Sequence, residues 1–409
     1  MTYNSGIGNQ QAQRRALILV ATSQLLALTL WFSASAVGPQ LEEVWGLTTG
    51  QTAGLTLAVQ IGFVVGALGS AGFGLADAVP SRRLFVIAAL TGAGTNAALV
   101  VLGPGDHLVA FVLRFLTGVA LAGVYPSGLK VMAGWYRQGR GMALGLLVGA
   151  LTVGSAGPHL IRGLGFDWES VVLAASVLAV VAGLMMSFGI DDGPFEAPSS
   201  RFSRRQIGRV LRNRGVRLST YGYLGHMWEL YAMWTWTAAF LLASATVSGS
   251  SYGSVPIITF AVIAIGGAGA WLAGIWADRF GRPLVAGGSM AVSGVCALIT
   301  PVVFGRSALL VVPLFLVWGL SVVADSAQFS AMVTETADDE VRGTALTLQT
   351  AVGFLLTLVT IRGVPLLAEA WSWQWAFPIL GLGPVLGVVA MVRFHRMAAN
   401  EIPPSSARA

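Results

Sequence analysis

The chain has 409 residues, of which 55% are hydrophobic and only 10% charged, with a formal net charge of +6 and a mean hydropathy of +0.74. Soluble domains carry about 25% charged residues, so a water-soluble globular protein of this length is excluded for want of polar surface. A single cysteine, Cys296, leaves no disulfide framework and no metal-type cysteine spacing.

An apolar run of about 20 residues crosses a bilayer. Twelve are predicted, at 16–38, 52–74, 84–103, 107–129, 141–163, 169–189, 218–243, 252–276, 284–304, 307–332, 343–367 and 374–394. The first follows Arg14-Arg15 and ends near Ala34-Ser35-Ala36, the layout of a cleaved signal peptide. It is long for a signal, and a retained span is the expectation. Short connections such as Leu41–Gly46 and Gly103–Asp106 leave no room for a soluble catalytic domain. No Gly-x-x-x-x-Gly-Lys-Ser/Thr loop is present, which disfavours an ATP-driven pump. Residues 190–217 carry seven arginines from Arg201 to Arg217 and read as a cytoplasmic linker. Its 202–216 part is either a short helix held on anionic lipid or a solvated topological anchor. The tail after Arg396 is polar and Pro-containing.

With the N-terminus inside, 20 of the 24 Lys and Arg fall in cytoplasmic segments. Arg162, Arg306 and Arg362 lie near the outer face, and Arg114 lies within a span. This positive-inside bias puts both termini in the cytoplasm of a plasma (inner) membrane. The basic excess is topological and excludes nucleic acid as the partner.

The eighth span ends in Gly274-Ile-Trp-Ala-Asp278-Arg279-Phe-Gly281-Arg282, and the second ends in a worn copy, Gly72-Phe-Gly74-Leu-Ala-Asp77-Ala-Val-Pro80-Ser-Arg82-Arg83. Arg140-Gly-Met-Ala143-Leu144 recurs as Arg342-Gly-Thr-Ala345-Leu346, and Ile161-Arg162-Gly163 as Ile361-Arg362-Gly363. Three matches at offsets of 200 to 202 residues argue for an internal duplication, a common plan of secondary transporters. The predicted organisation is a first six-helix bundle over 1–190, the linker over 191–217 and a second bundle over 218–409.

The loop signature, its place after the second and eighth runs, and the two halves resemble the major facilitator superfamily over residues 14 to 396. The resemblance implies an all-α integral membrane protein: two pseudo-symmetric six-helix bundles around a central cavity, working by alternating access. It also implies a gate made by Gly274, Asp278, Arg279, Gly281 and Arg282 with Asp77, Arg82 and Arg83. The rival reading of these loop charges is topology marking alone. In such proteins helices one, four, seven and ten line the cavity. The fifth run, with Gly145, Gly149, Gly154 and Gly157-Pro158, partly resembles the glycine-rich signature of exporters. That match fails at His159-Leu160.

Ionisable groups inside spans are functional candidates by default, because burying charge in hydrocarbon is costly. Glu229 and Asp325 are the acids well inside spans, with Arg114 and His226, and His159 toward the outer end of the fifth run. None of the first four is duplicated in the other half. His226, Glu229, Met233 and Trp236 are spaced 3, 4, 3 and share a face, with Tyr223 one turn earlier. Glu229 sits about 16 Å into its span. Glu229, His226 and Asp325 are therefore expected to carry protons; the alternatives are substrate contact or a structural His226–Glu229 hydrogen bond, and for Asp325 a cation contact or a salt bridge closing the inner gate. Arg114, Trp31, Tyr223, Trp236 and Gln328 are expected to contact substrate; for Arg114 a helix-pairing role stays open. No cofactor, no metal and no enzymatic activity are expected, and a monomer is. The expected function is proton-coupled secondary transport of a small organic anion or metabolite. A drug/proton antiporter for lipophilic or cationic compounds is the alternative, and a non-transporting receptor the remote one.

Overall fold

The computed structural model describes residues 4–136, 140–195 and 203–401. Its described segments are helical, and the long helices fall where the apolar runs predict them. They are α1 (Asn4–Leu28), α2 (Thr49–Phe73), α3 (Ser81–Ala97), α4 (His107–Trp135), α5 (Arg140–Gly163), α6 (Trp168–Gly189), α7 (Arg214–Ser248), α8 (Val255–Phe280), α9 (Arg282–Val303), α10 (Ala308–Ala324, resumed as Ser326–Thr336), α11 (Arg342–Ala370) and α12 (Leu382–Glu401). Eleven of these segments are long and apolar enough to cross a membrane. The first expected span differs. α1 stops at Leu28, a turn follows over 29–32, and two short helices, Ser33–Ala36 and Gly38–Trp45, complete the passage. No glycine or proline lies in Leu26–Phe32 to announce that break.

Two halves of six helices pack by close backbone contact. A Cβ at Gly118 of α4 would lie 2.1 Å from the Val59 carbonyl oxygen of α2, and one at Gly62 2.0 Å from that of Phe115. In the second half a Cβ at Gly319 of α10 would lie 1.8 Å from the Val262 oxygen of α8, and one at Gly269 1.9 Å from that of Leu320. Gly118 and Gly319 are 201 residues apart, Val59 and Val262 are 203 apart, so the sequence duplication reappears as a duplicated packing device. Small residues let helices touch where lipid supplies no hydrophobic drive for association.

The halves meet along two seams, α5 against α8 and α2 against α11. A Cβ at Gly149 would sit 3.6 Å from Gly267, and one at Gly163 would strike Ile257 at 2.5 Å. The Arg362 guanidinium lies over Gly50. Gly50, Gly163, Ile257 and Arg362 all belong to the end of the bundle away from the two loop signatures, so the halves are in contact at that end. The end bearing the signatures and the Arg-rich linker is the basic face.

The linker is docked. Ile207–Arg212 is a short helix whose Arg209 reaches Glu340 at 2.8 Å and Asp338 at 3.5 Å. Asn213 caps α7 by accepting from the Val216 N–H at 3.0 Å and donates to the Thr336 carbonyl. Val210 and Val216 join Val333, Ala337, Val341 and Ala345 in a small apolar cluster. The described part of the expected lipid-surface segment therefore packs on the connection between α10 and α11. Residues 196–202 lie outside the described residues.

Candidate functional site

Two features sit at mid-depth: an aromatic seal between the halves, and a set of buried titratable groups in α7 and α10. The seal starts from the broken first helix. Carbonyls in the turn after Leu28 have lost their helical partners, and buried carbonyls must be paired. Arg114 of α4, fully buried, supplies the donors. Its Nη1 donates to the Leu30 oxygen (3.1 Å), to Ser33 Oγ (3.1 Å) and to Asn96 Oδ1 (2.7 Å), and its Nη2 donates to the Trp31 oxygen (2.7 Å). Asn96 of α3 in turn accepts from Ser33 Oγ (2.7 Å) and donates to the Val172 oxygen and Ser176 Oγ of α6. Arg114 thus ties the break in helix one to α3 and α6. Among the described residues Nε is the guanidinium nitrogen left without a partner.

Held this way, the Trp31 ring crosses to the other half. It lies 4.9 Å from Phe63 of α2, 5.8 Å from Tyr231 of α7 and 5.7 Å from Phe354 of α11, and Phe63 meets Phe354 at 4.5 Å. Phe32 stacks on Tyr231 and meets Trp234 edge-on. Each such ring pair is worth about 0.5–1.5 kcal/mol beyond its area, so the cluster holds the halves together. Among the described residues the indole N–H groups of Trp31 and Trp234 and the amide of Gln60 on α2 are buried without a partner.

The titratable set differs in pairing from the expected one. Glu229, 1% exposed, does not bond His226. Its Oε1 accepts from the Trp318 indole of α10 at 2.7 Å and its Oε2 from Ser293 Oγ of α9 at 2.9 Å. His226 faces Asp325 instead, Nδ1 to Oδ1 2.8 Å, both at 2% exposure or less. Asp325 occupies the break in α10 between Ala324 and Ser326. One turn of α7 thus presents both side chains to α10 at different heights, and Glu229 also reaches α9. No Lys or Arg lies within ion-pair distance of Glu229 or Asp325 among the described residues. The sequence places Trp318 on a cavity-type helix but gives neither it nor Ser293 as a partner of Glu229, because a serine and a tryptophan inside apolar runs carry no signal of what they will touch.

The remaining expected contacts are spread. Trp236 donates its indole N–H to the Ile361 oxygen at 2.9 Å and packs on Trp373. Tyr223 packs near His226 and Phe329. Gln328 belongs to the basic-face network, where its Oε1 accepts from Arg282 Nη1 at 3.1 Å while Arg282 Nε pairs with Glu335 at 2.6 Å. Arg82 donates to the Ile190 oxygen and pairs with Asp191 at 3.3 Å. Arg279 lies over the Phe280 ring, and Asp278 and Arg83 are exposed. The Asp77 side chain lies outside the described residues. The two signature turns also differ: α8 runs through Gly274 to Phe280 and turns at Gly281 (φ 87°), whereas α2 ends at Phe73 with Gly74 (φ 64°) and a further helical turn, Leu75–Ala78, precedes Pro80. Positive φ is strained for residues with a Cβ, which is what both glycines supply.

Asn96 gives a prediction with a readout in stability. Asn96→Ala removes four buried hydrogen bonds, the shortest from Arg114 Nη1 among them, so unfolding should be easier by about 2–4 kcal/mol. Denaturant melts in detergent measure it; a loss under about 1 kcal/mol would show that the network does not hold helix one.

A duplicated twelve-helix architecture, with an aromatic seal between its halves and buried titratable groups at its centre, is the build of a multi-pass membrane transporter. The chain belongs to the Major Facilitator Superfamily, whose pattern matches residues 20–355. It is 27% identical over 184 residues to the 4-hydroxybenzoate transporter PcaK of Pseudomonas putida, a match covering 44% of this chain and 38% of that protein. The aligned stretch is thus well under half the length of that curated relative. Among solved structures it is similar to the nucleoside transporter NupG at a TM-score of 0.69 and 14% identity, covering 93% of this chain and 99% of that one. At that identity the likeness concerns the fold.

Proposed function

We propose that this protein is a proton-coupled secondary transporter that moves a small organic anion by alternating access, with its basic face and both termini in the cytoplasm. The observation that carries the proton assignment is the set Glu229, His226 and Asp325, buried at mid-depth and paired with no Lys or Arg among the described residues. Glu229 lies about 22 Å along α7 from Arg214, near the middle of that 35-residue helix. A carboxyl there that loses its proton must carry net charge in a low-dielectric setting, so proton occupancy and conformation are coupled. The contacts at Gly50, Gly163 and the aromatic seal belong to a state closed on the side away from the cytoplasm. In it the Arg282 contacts to Glu335 and Gln328 lie within the second half and Arg82–Asp191 within the first; the gate role of the signature charges would come from ion pairs that stabilise the state open to the outside and break on switching. For the solute, the ring-lined seal with its unpaired indole N–H and amide groups suits a planar organic anion, and the partial similarity to a 4-hydroxybenzoate transporter supports that direction.

One observation favours a second reading, a proton antiporter for lipophilic cations. The Arg114 guanidinium is spent on helix-one carbonyls and Asn96, so the mid-depth charges facing a solute would be carboxyls. Proteoliposomes enclosing a pH-sensitive dye separate the two. Aromatic carboxylates entering with protons should acidify the lumen beyond protein-free vesicles; a lipophilic cation exchanged for protons should alkalinise it. The first response is the expected one, the second would replace it with the antiporter, and silence across both panels would overturn proton coupling.

A further inference from the structure

At the foot of α7, on the basic face, a cavity of about 380 Å³ is lined by Arg214, Arg217, Leu218, Tyr221 and Arg393. Three arginines from two helices converge there, with no carboxylate within ion-pair distance of any of them among the described residues. Among the described residues Arg217 bonds only a backbone oxygen, that of Leu211. Like charges gathered without a counter-ion repel one another, so an anionic occupant is the missing partner. The surroundings say which kind. Above Arg393, α12 exposes Leu382, Val385, Leu386, Val389 and Val392, spaced 3, 1, 3 and 3, a continuous apolar stripe ending at the arginine. On the α7 side Tyr221 is 55% exposed, one turn beyond Arg217. A charged end and an apolar track side by side match a molecule with a phosphate head and an acyl chain.

We propose that this cavity binds the phosphate of an anionic phospholipid, its acyl chain lying along the α12 stripe. Planar guanidinium groups hold phosphate oxygens bidentately, and Tyr221 sits where interfacial aromatics sit. Each arginine near an anionic surface contributes roughly a kilocalorie per mole, so three together favour an anionic over a zwitterionic lipid on the order of a hundredfold. The site stands at the start of the helix that carries His226 and Glu229, so an occupied cavity would fasten the foot of α7 to α12.

The test uses the full chain purified in detergent and stripped of lipid. Phosphatidylglycerol should raise its melting temperature by several degrees and remain bound in native mass spectrometry, and phosphatidylcholine should do neither. The triple variant Arg214→Gln, Arg217→Gln, Arg393→Gln should lose at least half of that shift, while Arg162→Gln at the opposite end keeps it. The corresponding triple lysine variant, which retains charge without the fork, should fall between. An equal shift in wild type and the glutamine triple would overturn the site. Stabilisation by inorganic phosphate as strong as by phosphatidylglycerol would overturn the lipid assignment in favour of free phosphate. Should the glutamine triple not fold, undiminished phosphatidylglycerol retention by the lysine triple and by Arg393→Gln would equally overturn it.

Discussion

Glu229→Gln should reduce pH-driven accumulation by at least about a hundredfold while leaving solute exchange without a pH gradient within a few-fold of wild type. The amide has nearly the shape of the carboxyl, and its oxygen can keep the 2.7 Å bond from the Trp318 indole. Ser293 Oγ, 2.9 Å away, now donates; a hydroxyl both donates and accepts, so it can turn and accept from the new NH₂. The variant therefore should fold and melt within about 1 kcal/mol of wild type, and a lost function cannot be laid to lost structure. What it cannot do is exchange a proton. Reconstituted uptake with and without a pH gradient, beside counterflow, reads both arms. Gradient-driven accumulation that survives the substitution sinks the assignment of Glu229. The same experiment on Asp325→Asn asks a separate question, because Asp325 pairs with His226 and not with Glu229.

Gly319→Val should abolish the folded protein. The added Cβ would stand 1.8 Å from the Val262 oxygen, a backbone atom with no freedom to swing aside. α8 and α10 would have to part, undoing the close approach along a helix pair and with it the seat of Trp318, one residue away. Overpacking alone costs about 1–3 kcal/mol where side chains can yield; against rigid backbone the loss should exceed 4 kcal/mol, in the range reserved for severe core damage. Size-exclusion chromatography should show aggregate or no protein. Gly118→Val, its counterpart in the first half, should behave alike, since its Cβ meets the Val59 oxygen at 2.1 Å. Gly145→Ala serves as the contrast: it is helical, nothing lies within 4 Å of its Cβ, and alanine is the better helix former. A well-behaved Gly319→Val protein would mean that the α8–α10 approach is looser than described.

Much of this architecture is legible in the chain before folding. Spans follow from runs of apolar residues, because the bilayer demands about 20 in succession whatever their order. The duplication follows from repeated turn residues, and the singular groups Arg114, His226, Glu229 and Asp325 stand out because charge in an apolar run has no cheap explanation. What those groups bond to was not legible. Glu229 finds Ser293 and Trp318 at sequence separations of 64 and 89 residues, and such pairs depend on how α7, α9 and α10 are rotated against one another. The same holds for Gln328, expected to contact substrate, since nothing in its run tells of Arg282 coming to meet it from the start of α9.

The break in the first helix draws the line most clearly. Leu26–Phe32 has no residue that ends a helix, so the sequence alone predicts an unbroken span. The turn exists because Arg114, from a helix some 80 residues away, offers charged donors to the Leu30 and Trp31 carbonyls, backed by Asn96 and Ser33. Local pattern determined which segments enter the membrane and which residues are out of place there, since both are properties of a residue and its near neighbours. Partner, rotation and kink were decided by tertiary structure, because a buried polar group is satisfied only by whatever the packed fold brings within hydrogen-bond reach.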